Sequence, residues 1–246
     1  MSGNTTSPVS NGEKLPMSRR VMNLAYMLTQ NARRLGDRTG FIWATRSWTW
    51  REIDREVSAL AAALAARGIA KGDRILVHSK NCEEMFWSMF AAFRLGAVWV
   101  PTNFRLMPDE VAYLALASGA KGFLCHGDFP DHAAAVSGPE FTWRIGTEGN
   151  FGERSVREAI AAHLGATVAN AAVEYDDPCW FFFTSGTTGR SKAAVLTHGQ
   201  MGFVVTNHLA DLTPGTTEAD ASLVVAPLSH GAGVHQLMQA ARGVPT

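Results

Sequence analysis

Residues 180–198 read WFFFTSGTTGRSKAAVLTH. An aromatic, apolar run of the kind that forms a buried strand delivers a loop of hydroxyls and glycines, and then a lysine. Gly186 and Gly189 free the backbone to present its N–H groups, Thr184, Ser185, Thr187 and Thr188 offer hydroxyl donors, and Lys192 adds a point charge. Such a cradle is built for phosphate, so the stretch predicts a nucleotide site in an α/β protein. A solvated Ser/Thr/Gly surface turn would account for one or two of these residues, but not for six donors in the nine positions from Thr184 to Lys192. Against the P-loop pattern GxxxxGK[ST], Ser191 stands where the second glycine belongs and Ala193 where the magnesium-binding hydroxyl belongs, so this is not a Walker A loop. Residues 193–196 are apolar and Thr197 is the first good helix N-cap, so the loop is expected to join two strands.

Working outward, residues 200–212 suit a helix and 222–226 (SLVVA) a further strand ending at Pro227. Toward the N-terminus the signals alternate. Residues 21–34 read as an amphipathic helix, and 41–43 with 47–50 as a β-hairpin. Ile53, Val57, Leu60 and Leu64 recur at helical spacing up to Gly68. RILVH at 74–78 is a short strand, residues 82–95 an apolar, buried helix ended by Gly96, and AVWV at 97–100 another strand. Pro108, Asp109 and Glu110 open the next helix, Gly119 closes it, and residues 122–125 give a strand. From 127 to 170 the pattern weakens, apart from an alternation around 142–145 and a helix at 156–164. The order is that of an α/β fold with parallel sheets flanked by helices. In such a sheet ligands gather at the carboxyl ends of strands, so the loop after Phe183 and residues Leu228, Ser229, His230 and Gly231 are expected to face one cleft. His198 is expected to help start the helix after the loop, and Trp87, Trp99, Met85 and Met89 to be core.

The chain carries 22 basic against 22 acidic residues in 246, so no charge excess draws it to nucleic acid or acidic lipid. Cys82, Cys125 and Cys179 are widely spaced, which suggests neither a disulfide framework nor a thiolate zinc site; a reducing cytoplasm fits best. No run approaches membrane-spanning length, and the apolar residues after Arg19 and Arg20 are too short and interrupted for an export signal. Residues 1–20 read as a disordered tail rich in Ser, Thr, Asn, Gly and Pro. There is no G-x-S-x-G elbow and no H-E-x-x-H, so serine hydrolase and zincin designs have no support, and no metal site is expected.

The stretch FTSGTTGRSKAAVLTH resembles the phosphate-binding signature of the adenylate-forming (AMP-binding) superfamily, which includes acyl-CoA synthetases, luciferases and peptide-synthetase adenylation domains. Residues 47–125 and VVAPLSHGAG at 224–233 are similar to the front half of that family, so the resemblance covers most of the chain after residue 40. Where the family reads Pro-Lys-Gly this chain has Ser191, Lys192 and Ala193; the changes loosen the turn and add a Cβ where backbone approaches phosphate. The resemblance implies that residues 21–246 are part of the large N-terminal domain of an acyl-CoA synthetase-like enzyme, with the C-terminal lid absent. It implies an ATP-dependent carboxylic acid–CoA ligase, with Mg2+ bound alongside ATP, CoA as acceptor and a fatty or aromatic acid as substrate. Thr184, Ser185, Gly186, Thr187, Thr188, Gly189 and Lys192 would bind the nucleotide phosphates. His230, the candidate catalytic residue, would lie near the acyl and pantetheine region. The family's adenine-binding segment, ribose-binding aspartate and C-terminal lysine come later than its proline-leucine-x-histidine motif and do not occur here, so activity of these residues alone is not expected. The alternative is a non-catalytic nucleotide-binding or interaction module. A homodimer stays open.

Overall fold

The computed structural model describes residues 19–184 and 190–246. Its centre is a seven-stranded sheet that is parallel except at one edge. The first strand of that sheet, β4 (Arg74–His78), follows β1 (Arg20–Val21), α1 (Tyr26–Arg34), the hairpin β2 (Thr39–Trp43) and β3 (Arg46–Thr49), and α2 (Trp50–Ala66). Thereafter strand and helix alternate through α3 (Glu83–Leu95), β5 (Val98–Thr102), α4 (Pro108–Ser118), β6 (Gly122–His126), α5 (Pro130–Ala135), β7 (Phe141–Ile145), β8 (Arg154–Ser155) and α6 (Val156–Ala162). The chain then passes β9 (Val173–Glu174), the pair β10 (Pro178–Thr184) and β11 (Lys192–Thr197), α7 (His198–Asn207) with a π-helical turn at His208–Leu212, and α8 (Gly231–Arg242). Strand order is β11-β10-β5-β4-β6-β7-β8, and only the β10/β11 pair is antiparallel.

The continuous apolar runs become strands because both faces of the sheet are covered. Ile75, Val77, Trp99 and Leu124 face a core built with α1, α2, α3, α6, α7 and α8, while Leu76, Val98, Val100, Phe123 and Cys125 face α4 on the other side. Helix boundaries follow the caps. Thr49, Ser155 and Thr197 each accept a bond from the backbone N–H three residues on, and Glu52, Glu158 and Gln200 return it. Gly96, Gly119 and Gly243 end their helices at φ of 68°, 59° and 74°, a conformation glycine adopts without steric cost.

Several expectations shift at their edges. The helix expected over 21–34 begins only at Tyr26, because Arg20 and Val21 pair with Glu174 and Val173. That pairing also takes Arg20 out of the expected tail, whose residues 1–18 lie outside the described residues. The weak alternation near 142–145 is strand β7, with Phe141, Trp143 and Ile145 buried between half-buried neighbours. Trp180 is fully buried, but Phe181, Phe182 and Phe183 are only half-buried. The helix expected to 212 stays α-helical to Asn207 and finishes as the π-turn.

The strand expected at 222–226 does not form. Leu223 and Val225 are 87% and 86% exposed, and Ser222 is tied down by one backbone bond, from its N–H to the Pro245 carbonyl at 2.9 Å. A β-rich stretch with no adjacent strand has no ladder to join.

Candidate functional site

The glycine-hydroxyl loop is carried by an antiparallel hairpin, as its flanking residues require. Thr184 and Lys192 are register partners at the last rung, and both side chains are exposed. Lys192 makes no ion pair among the described residues, so its charge is available at the mouth of the hairpin. Ser185, Gly186, Thr187, Thr188 and Gly189 lie outside the described residues. The returning stem leans on α4: the Tyr113 hydroxyl donates to the Ser191 carbonyl at 3.4 Å, and the Arg190 guanidinium lies 5.1 Å from the centre of the Tyr113 ring. Behind the loop, β10 is held rigid by Trp180, whose ring meets that of Trp99 edge-on at 4.7 Å, while the Trp99 indole donates to Ser88 Oγ at 3.0 Å.

Residues 227–230 approach the same strand ends. The ring of His230, at the start of α8, stands edge-on to Phe182 at 5.7 Å, and Ser229 Oγ is 2.8 Å from His230 Nδ1. Phe183, Ser191, Ser229 and His230 line one small cavity of about 100 Å³ together with Pro101 and Asn103 from the end of β5. His230 thus shares a cavity with Phe183 and Ser191, which flank the glycine-hydroxyl loop, while Thr184 and Lys192 are not among its lining residues. Tyr113, Arg190 and Asn81, which binds the 226–228 backbone, belong to this neighbourhood too. Their sequence signal was weak: a helical tyrosine and a loop asparagine stand out only once their partners are known.

His78, His198 and the three cysteines are buried and do not line that cavity. His198 is buried at the far end of β11, six residues and roughly 20 Å from Lys192 along an extended strand. It accepts the Leu24 N–H on Nδ1 at 3.4 Å, and burial pulls its pKa down to about 4. His78, stacked on His132 at 4.4 Å and bonded to Thr102 Oγ1 at 2.7 Å, is lowered to about 3, chiefly by burial. Burial pushes the Cys82 and Cys125 thiols up to about 12 and that of Cys179 higher still, so none is an activated nucleophile. Among the described residues no group of three or more His, Cys, Asp or Glu side chains is arranged to hold a metal.

The sequence model of the family described as AMP-binding enzyme matches residues 28–243. This chain belongs to the AMP-binding enzyme family. Among its relatives, the feruloyl-CoA synthase of an Amycolatopsis species is 33% identical over 189 residues, which cover 76% of this chain and 35% of that protein. The 3-hydroxybenzoate–CoA/4-hydroxybenzoate–CoA ligase of Thauera aromatica is 32% identical over 178 residues, covering 68% of this chain and 33% of its own length. The anthranilate CoA ligase AuaEII, solved with anthranoyl-AMP, superposes with a TM-score of 0.84 at 22% identity, over 91% of this chain and 44% of that one. The chain thus spans about a third of the curated relatives it matches, and its fold is that of the N-terminal region of CoA ligases in the AMP-binding family. No helix among the described residues is long and apolar enough to cross a membrane.

Proposed function

We propose that this AMP-binding chain forms the nucleotide side of a carboxylic acid–CoA ligase, which joins a carboxylate to the α-phosphate of ATP, releases pyrophosphate and passes the acyl group to the thiol of CoA. The observation that carries the reading is the meeting of His230 and the stems of the phosphate loop in one cavity at the carboxyl ends of β5 and β10. Departing pyrophosphate accumulates negative charge. Lys192 at the hairpin mouth, which makes no ion pair among the described residues and stands opposite Thr184, is suited to stabilise that charge, and the loop from Ser185 to Gly189 would supply further donors. Mg2+ would enter with ATP and share this neutralisation. His230, with its ring fixed between Phe182 and Ser229, would line the acyl and thiol side of the cavity. The relatedness to a feruloyl-CoA synthase and a hydroxybenzoate–CoA ligase points to aromatic acids as the first substrates to try.

The test is carboxylate-dependent ATP–pyrophosphate exchange, run on this chain and on the longest reading frame that contains it, with aromatic, fatty and short acids. Lys192→Ala should lower exchange by roughly 10²-fold or more, the scale of losing one charge-stabilising donor, and leave the urea unfolding curve in place. Unchanged ATP affinity and exchange in that variant would remove Lys192 from the phosphate site. Ser191 and Ala193, in place of the family's proline and glycine, favour a second reading as a binding module; nucleotide binding without exchange by either protein would support it.

A further inference from the structure

Asn81 sits in the short connection between the central strand β4 and the buried helix α3, far in sequence from residues 226–230 and in contact with them in space. Its Nδ2 donates to the Ala226 carbonyl at 2.9 Å, and its Oδ1 accepts the Leu228 N–H at 2.8 Å. A single carboxamide thus bonds the backbone on both sides of Pro227, as a neighbouring strand would, at the point where the expected strand 222–226 fails to form. The support is stiff. Lys80, the residue before it, is paired with Asp128 at 2.7 Å, and Cys82, the residue after it, is buried at the start of α3. The clamped segment is stiff in turn: His230 N–H donates to the Pro227 carbonyl at 3.1 Å, and Leu228 and Ser229 are buried. The preceding residues are loose by comparison, with Leu223 and Val225 almost fully exposed.

We infer that Asn81 is a positioning residue that sets the placement of the His230 ring in the cleft, through its two bonds to the 226–228 backbone. The functional half rests on the ligase reading above. Because His230 is placed on the acyl side and Lys192 on the phosphate side, loss of the clamp affects use of the acid and spares use of ATP.

The experiment compares Asn81→Ala and Asn81→Asp with Asn31→Ala. Asn31→Ala removes a buried side-chain bond of similar length, Nδ2 to the Ala240 carbonyl at 2.6 Å, which ties α1 to α8 away from the cleft. On this chain, amide exchange at Leu228 and the NMR signal of the His230 ring are read first. Asn81→Ala should speed Leu228 exchange roughly tenfold and shift the ring signal; Asn81→Asp, which keeps the acceptor, should restore Leu228 protection; Asn31→Ala should do neither. In the ligase, Asn81→Ala should raise KM for the acid roughly tenfold with KM for ATP within about twofold, a split that general destabilisation does not produce. Unchanged Leu228 protection and ring signal in Asn81→Ala, or equal effects on both KM values, would overturn the inference. If no protein containing the chain shows exchange, the ligase reading fails, and the amide and ring signals alone decide whether the clamp positions His230.

Discussion

Gly233 gives the sharpest test of how the cleft is assembled. It lies in the first turn of α8, and a Cβ added there would stand 2.1 Å from the Leu228 carbonyl oxygen and 2.8 Å from Cη2 of Trp180. Ordinary contact begins at 3.4 Å, so the Cβ and that oxygen must part by about 1.3 Å. Neither neighbour yields easily. The carbonyl belongs to the segment clamped by Asn81, and the Trp180 ring is locked against Trp99. Overpacking of this kind costs up to about 3 kcal/mol, while alanine's helix propensity gives back at most about 1 kcal/mol, for a net loss near 2 kcal/mol in Gly233→Ala. Two positions earlier, a Cβ on Gly231 meets nothing within 4 Å, so Gly231→Ala keeps the propensity gain without the clash. Urea unfolding should separate the two variants: Gly233→Ala weaker by roughly 2 kcal/mol, Gly231→Ala equal to the parent or up to about 1 kcal/mol stronger. Coincident unfolding curves for the two would refute the close approach of α8 to Leu228 and Trp180, and with it the geometry that brings His230 to the loop.

His198 makes stability depend on pH. Its pKa falls from 6.5 to about 4 in the folded chain, so the unfolded chain binds the extra proton first; the stabilisation is complete above pH 6.5 and is lost as pH drops toward 4. The loss amounts to roughly 3 kcal/mol, and His198→Asn should lessen the pH dependence of urea unfolding between 7 and 4, with buried His78, lowered to about 3, supplying the part that stays; an unaltered slope would contradict a buried neutral imidazole. Glu56 accepts from the indoles of Trp87 at 2.6 Å and Trp48 at 3.3 Å and from Arg157 at 3.0 Å. Glu56→Ala strands the two indole donors, while Arg157 keeps Glu83 and Glu84, and should cost about 2 kcal/mol, with Glu56→Gln recovering part of it; an unchanged urea midpoint in Glu56→Ala would show these bonds contribute nothing net.

The layered fold was largely legible because its strands are short runs with residues for two cores. RILVH reads as a strand on propensity and as a parallel one on continuous hydrophobicity, and Gly96 and Gly119 mark helix ends by their conformation. Residues 222–226 misled because propensity says what a segment prefers and nothing about whether a partner is beside it. β1 went unread for the converse reason: Arg20 and Val21 carry no strand pattern and extend only because Glu174 and Val173 bond them. Thr184 and Lys192 stand out by the chemistry concentrated in one motif and His230 by a second, separate one, whereas Asn81 depends on partners about 145 residues away in sequence, beyond any local pattern.

The ladder between β10 and β11 carries one irregularity, at Cys179. Between the pairs Pro178↔Thr197 and Trp180↔Leu196, β10 advances two residues while β11 advances one. Paired residues in an antiparallel ladder share a face, so this extra residue acts as a phase shift. With it, Lys192 falls opposite Thr184, on the side of the sheet that Trp180 and Phe182 occupy. Without it, in a regular ladder from the same Pro178↔Thr197 anchor, Lys192 would fall opposite Phe183 instead. The extra residue at a buried, chemically silent cysteine thus decides what stands across the ladder from the lysine, a hydroxyl or an aromatic ring.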